Sequence, residues 1–235
     1  MKKHQLILIV LAACITVLTP LQAQQIQGKI LQVNGTAEVN IPGQGTQKLV
    51  AGSLVPVGSE ITTGEDSSVM VGLTQGAGVV VEENTELGLD ELSVEKKDEK
   101  VTKREVQLNL KNDKGSALSF LKNFDGATDY KVKTATAVAA ARGTVWRTTQ
   151  ATVQVVAGNV QVIIGGLTVD VPAGSAFTNA EGVTTMTQGA IDAIVKAVED
   201  AGGQIDRTGP DGPEIILPGE ARIPIDETDS DPSPS

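Results

Sequence analysis

The sequence predicts a mainly β chain: a single domain of stacked short strands, sandwich- or solenoid-like, with one C-terminal amphipathic helix. Three observations carry this. Between about residues 27 and 180 apolar residues come in short runs of period 2, split by Gly, Asn, Pro or Asp. The turn signals recur at the spacing of an all-β sandwich, barrel or solenoid. A helical period takes over only near residue 187, so a βαβ sheet is disfavoured. The composition agrees: 25 glycines, abundant Val, Ile and Thr, and 2% aromatic residues in a chain of 235.

Residues 1–23 read as a secretory signal. Lys2 and Lys3 form the positive start, Leu6 to Leu18 the apolar core, and Ala23 the small residue at the cleavage position. The apolar run is shorter than the roughly 20 residues of a spanning helix and ends at Pro20. Two alternatives are an uncleaved anchor and lipidation at Cys14, since "LAAC" resembles a lipoprotein box although the following residues stay apolar. Either way the chain is expected to be exported, to the periplasm or outside the cell, with no membrane span once the signal is cut.

The β-domain is expected over 24–182. "GKILQV", "GTAEVNI", "SSVMVGL", "GVVVE", "REVQLNL", "DYKVKT", "TVQVVAG", "NVQVII" and "LTVDV" all read as strands. Residues 90–105 break the apolar pattern and read as a charged, protruding hairpin with its tip near Lys96, Lys97 and Asp98. Such charge keeps a strand edge from pairing with other chains. "VPVGSEI" at 55–61 repeats as "VPAGSAF" at 171–177, so two Val-Pro-x-Gly-Ser corners are expected, with Gly58 and Gly174 at their turns. A packing helix is expected over 187–202. Ile191, Ile194, Val195 and Val198 form its apolar stripe, Thr187 its N-cap and Gly202-Gly203 its stop, and it should cover an end or edge of the β-domain. From 205 to 235 the Pro-, Asp- and Gly-rich composition predicts a disordered acidic tail.

Composition excludes most chemistry. His4 and Cys14 are the only His and Cys, and both lie in the signal. The mature chain then has no thiolate nucleophile, no His general base, no disulfide and no His/Cys metal site. No cofactor is expected. Removing Lys2 and Lys3 takes the formal charge from -10 to -12, which opposes nucleic-acid binding. The densest acids of the core, Glu82, Glu83, Glu86, Asp90 and Glu91, sit in a strand-and-turn pattern that fixes no facing carboxylate pair, so surface charge is the expected role. "DETDSD" at 226–231 lacks the spacing of an EF-hand loop.

One stretch stands apart. "TATAVAAARGTVWRTT", residues 134–149, holds the single Trp and places Arg142 inside a run of small residues before Gly143. In strict alternation Val138, Ala140, Arg142, Thr144 and Trp146 share one face, which would bury Arg142 and require an ion pair. If Gly143 marks a bulge instead, Arg142 lies near a rim. In both cases Arg142 reads as a structural tether, with Glu60 or Asp66 as its partner.

In order along the chain, Gly35 to Val39, the Gly58–Gly64 corner with Ser68, Asn84 to Leu87, Thr134 to Trp146 with its Arg142-Gly143-Thr144, and Gly158 to Gly174 resemble the pattern of the FecR domain family. Glu60, Ala135 and Trp146 stand where that pattern has Asp, Pro and Phe. The resemblance implies an envelope protein without enzymatic activity. It also implies a relay between an outer-membrane transporter and a cytoplasmic sigma factor. The few residues before the apolar segment leave no cytoplasmic domain for that second contact. The expectation is a binding or scaffold module whose partner is a protein or envelope polymer. A sensor component working with a separate membrane partner is the alternative, and a carboxylate-based enzyme acting on glycans is a third reading.

Overall fold

The computed structural model describes residues 23–74, 76–98, 100–122, 126–206 and 214–216. Residues 1–22 of the predicted signal and most of the predicted tail lie outside the described residues. The first half of the chain forms β1 (Gln24–Gln25), β2 (Gly28–Asn34), β3 (Ala37–Ile41), β4 (Gly45–Lys48), β5 (Leu54–Val55), β6 (Glu60–Thr63), β7 (Ser68–Thr74), β8 (Ala77–Val81), β9 (Glu86–Lys97) and β10 (Lys100–Leu110). The second half forms β11 (Ser116–Leu121), β12 (Ala127–Lys133), β13 (Ala137–Ala141), β14 (Thr144–Thr149), β15 (Thr152–Ala157), β16 (Asn159–Ile164), β17 (Leu167–Pro172), β18 (Ser175–Thr178) and β19 (Gly182–Thr185). Helix α1 (Gln188–Asp200) and the short strands β20 (Gln204–Asp206) and β21 (Glu214–Ile216) follow.

Two sheets carry these strands. Sheet I has the order β17-β16-β13-β12-β10-β9-β6-β3-β4, with β1 paired to the distal half of β9. Sheet II has the order β19-β18-β15-β14-β11-β8-β7-β2-β5. Neither path closes, so this is an open two-sheet stack and not a barrel. From β7 onward the chain crosses between sheets after one or two strands. Pairing is antiparallel except between β10 and β12, which run parallel because β11 carries the chain through the opposite sheet. Parallel neighbours need such a crossover, and here a strand replaces the usual helix.

The alternating strands of sheet I send one face inward. Val39, Leu89, Leu108, Val132 and Val160 are buried against Val71, Val79, Trp146 and Val155 of sheet II. Trp146 is fully buried and meets the Tyr130 ring edge-on at 5.1 Å, so the two largest aromatic side chains pin one sheet to the other. The Tyr130 hydroxyl donates to the carbonyl of Gly78 on β8, and burial pushes its pKa well above the ordinary phenol value.

Sheet II is apolar on both faces, which accounts for the unbroken runs "VMV" and "GVVV". Its second face holds Met70, Val80, Leu118, Phe120 and Val145 beneath Ile194 and Val198 of α1. The helix therefore covers a sheet face rather than an end or edge. The helix runs from Gln188 to Asp200, against the 187–202 expected. The Thr187 side chain accepts from the Ala190 N–H, and the N–H groups of Gly202 and Gly203 close onto Glu199 and Val198. Ile194 and Val198 are buried, while Ile191 and Val195 lie at the margin of the contact. Beyond the helix, β20 and β21 pair antiparallel, so residues 204–206 and 214–216 are ordered where the sequence predicts a disordered tail from 205.

Both Val-Pro-x-Gly-Ser corners move the chain between sheets. The first leads from β5 in sheet II to β6 in sheet I, the second from β17 in sheet I to β18 in sheet II. Gly58 and Gly174 have φ of 85° and 74°, a region in which a side chain is strained. The predicted charged hairpin is β9–β10. Leu92 and Val94 are buried, so it belongs to the sheet as far as Glu95, and only its tip projects.

Candidate binding face

The stretch 134–149 is two strands in two sheets, not one. β13 ends at Ala141 in sheet I, β14 begins at Thr144 in sheet II, and Arg142-Gly143 makes the corner. Gly143 has φ 61°, which turns the chain across the stack. The neighbouring corner, between β15 and β16, lies against this one. The Thr144 hydroxyl spans both, within 3.1 Å of the carbonyls of Arg142 and of Asn159. Thr144 and Trp146 are buried as alternation predicts, but Arg142 is thrown outward and exposed.

Among the described residues no acid pairs with Arg142, which corrects the expected contact with Glu60 or Asp66. Glu60 is four strand positions away in sheet I and is bound to Lys111. Asp66 lies at the other end of the stack, in a turn of φ 51°, where its N–H donates to the Glu83 carboxylate at 3.0 Å. The tethering role belongs to two arginines that the sequence reading passes over. Arg147 binds the Glu82 carboxylate at 2.6 Å on the helix-covered side of sheet II, and Ser116 donates to the other oxygen of Glu82 at 2.6 Å. Arg104 is 3% exposed. It donates to the Thr128 hydroxyl at 2.9 Å and to the Lys122 carbonyl at 2.7 Å. Burial pushes its guanidinium down to about 10, which leaves it charged at neutral pH.

Arg142 borders a concavity of about 830 Å³ on the outer face of sheet I. Ala127, Ala140 and Ala141 are among its lining residues. Lys103, Lys131 and Gln161 stand around it with Arg142. Lys103 is held by Glu105 at 2.5 Å and Glu95 at 3.3 Å, and both contacts raise its pKa. Lys131 is held by Asp129 at 2.6 Å, and the Gln161 amide donates to Asp170 at 3.2 Å. Of the cations lining this concavity, Arg142 is thus the one with no acid partner among the described residues.

The five acids of the 82–91 segment line no part of this concavity. Glu82 and Glu83 have the partners just named, Asp90 lies 3.8 Å from Lys133, and Glu91 accepts from Gln107 at 2.7 Å. Glu86 faces Glu60 across β6 and β9. The hydrogen bond and charge of Glu60 raise the Glu86 pKa, while Lys111 lowers that of Glu60. A carboxyl raised on folding opposes stability once ionised, and this cost disappears as pH falls through its folded value. Glu86→Gln is therefore expected to raise the melting temperature slightly at neutral pH and to match the wild type in acid. Thermal melts at the two pH values check this. Among the described residues no group of three His, Cys, Asp or Glu side chains could hold a metal ion, and no helix is long and apolar enough to cross a membrane.

These features define a mainly β, two-sheet domain with one helix and an open polar face. Residues 59–161 match the family model described as FecR protein. The matched stretch amounts to just under half the chain and contains the Arg142-Gly143-Thr144 corner, Trp146 and much of the concave face. The chain is also similar to two crystal structures of a candidate anti-sigma factor from Parabacteroides distasonis ATCC 8503. The first is 18% identical with a TM-score of 0.42, the second 16% identical with a TM-score of 0.44. In each case the match covers 63% of this chain and 68% of the other. No curated protein matches the chain.

Proposed function

We propose that the chain is an exported, non-enzymatic module of the cell envelope that binds another protein through the concave outer face of sheet I. The carrying observation is the exposed guanidinium of Arg142, which has no acid partner among the described residues and stands at the Gly143 corner beside an open concavity. A guanidinium offers a fork of donors suited to a carboxylate or to backbone carbonyls of a partner. A lining of polar side chains interspersed with alanines suits an extended protein segment. A sugar would look for an aromatic platform, and the nearest ring, Tyr130, is buried at 1% exposure. The carboxylates nearest to a dyad, Glu60 and Glu86, share Lys111 away from this concavity, which gives little support to glycan hydrolysis.

The FecR match favours a second reading: this module is one component of an envelope signalling system, with a separate membrane protein as partner. Both readings use the same face. Arg142→Ala is expected to change stability by no more than about 0.5 kcal/mol, because the lost side chain is exposed and pairs with no acid among the described residues. Capture of the envelope partner from membrane extract should fall at least about tenfold, as for an interface anchor. Equal capture by the variant and the wild type would remove Arg142 from the binding face. A lowered melting temperature would restore its structural role.

A further inference from the structure

The two sheets end unevenly. At one end of the stack sheet II reaches past sheet I. Val183 of β19 lies opposite Phe177 and so faces the space between the sheets, yet it is 41% exposed where Phe177 is buried. Leu167 of β17 shares the inner side with the buried Val171 and is 70% exposed. Room for a strand is therefore open beside β17. At the other end sheet I reaches past sheet II. β4 is exposed along its whole length, even at Gln47, which faces inward beside the buried Val39. The last strand of sheet II at that end, β5, has two residues. Among the described residues the exposed large apolar side chains lie in or beside these terminal strands: Val50 and Leu54 at the β4–β5 end, Ile163, Leu167 and Val183 at the other.

The free backbone groups of the two edges are in matching phase. In an antiparallel ladder, pairs that exchange hydrogen bonds alternate with pairs that do not. The N–H of Ala173 donates to the Gly158 carbonyl at 2.9 Å, and that of Leu49 to the Ala37 carbonyl at 2.9 Å. Counted from these pairs, Val169 and Val171 turn their backbone groups to β16, and Thr168 and Asp170 turn theirs outward. Gln47 likewise turns to β3, and Thr46 and Lys48 turn outward. Asp170 and Lys48 both carry their side chains on the outer face of sheet I, Asp170 at the concavity and Lys48 opposite Glu38. Followed strand by strand across sheet I, β4 runs antiparallel to β17. A second copy set next in line, with the same face outward, thus presents β4 to β17 in antiparallel orientation. An edge lysine discourages pairing with most strands. Here β17 offers Asp170 on the matching face, and Lys48 has no acid partner among the described residues.

We infer that the chain assembles end to end, β17 of one copy pairing with β4 of the next, so that Lys48 of the next copy stands opposite Asp170. Pro172 has no N–H to offer and falls at the end of this ladder, where a proline is tolerated. The added strand covers Leu167 and Val183. A head-to-tail contact leaves the far edge of each copy free, so it continues into rows or rings. One strand pair is a small interface, and the association is reversible. This goes beyond the partner-binding role of the concave face, and its failure would leave that role standing.

The test is sedimentation of the exported chain at concentrations up to roughly 0.5 mM, where even an association close to a millimolar Kd is visible. The variants are K48E and D170K, each alone and the two mixed in equal amounts, with melting temperatures measured alongside. Both side chains are exposed, so both variants should melt as the wild type does. The mean mass of the wild type should rise with concentration beyond that of a pair. Each variant alone sets like charges against each other and should associate at least about tenfold more weakly. The mixture should recover wild-type association, because every contact between unlike variants then joins opposite charges. A wild type that stays monomeric throughout, a single variant that assembles as the wild type does, or a mixture no better than its components would each overturn the proposal.

Discussion

Replacing Trp146 by alanine is expected to cost about 3–5 kcal/mol, the range for a large buried aromatic truncated to a methyl group. Trp146 is completely buried between the sheets and supplies the sheet II side of the edge-on contact with Tyr130. Its removal leaves a cavity at the junction and deprives Tyr130 of its ring partner. The Tyr130 hydroxyl, bonded to Gly78, holds the ring in place, so neighbours cannot simply collapse into the space. Trp146→Phe keeps an aromatic body and should lose clearly less. Because this is the single Trp, wild-type unfolding can be followed by its fluorescence, whereas the variants need circular dichroism. A loss under 1 kcal/mol for the alanine variant would mean that the two sheets are not joined through this pair.

Gly158→Ala is expected to destabilise by about 2–4 kcal/mol, although it adds a single carbon. Gly158 has φ 76°, which strains any residue with a Cβ. An added Cβ would also stand 2.4 Å from the Gly143 carbonyl and 2.8 Å from the Thr144 hydroxyl. The two corners are packed backbone to backbone, and neither contact is the free end of a flexible side chain. Gly174→Ala provides the control. It shares the positive φ, at 74°, but nothing lies within 4 Å of the added Cβ, so it should cost only the conformational part. Chemical denaturation of both variants separates strain from collision. Equal losses would show that the corners are less tightly packed than the structure has them.

Periodicity and turn chemistry make most strands, both repeated corners and the capping residues of α1 legible in the sequence. These features depend on local chemistry: a left-handed turn needs glycine, and an N-cap needs a hydroxyl or carboxylate. The position of α1 was harder to read. Its clue is the unbroken "GVVV" of β8, a strand buried on both faces, which a reading based on alternation treats as one more one-sided strand. Arg142 shows the same limit. Alternation along 134–149 assumes one strand in one sheet, and only the crossover at Gly143 sends that side chain outward. The burial of Arg104 depends on the parallel pairing of β10 with β12, which places Arg104 opposite Thr128. No spacing within the sequence reports that pairing.

The most direct test of the account is hydrogen exchange on the full exported chain, alone and with the partner captured from envelope extract. Slowed exchange should map to β12, β13 and the Arg142 corner, whose side chains border the concavity, and should vanish for Arg142→Ala. Slowed exchange confined to α1 and the β18–β19 hairpin, with β12 and β13 unchanged, would place the binding face on the other side of the stack and contradict the account.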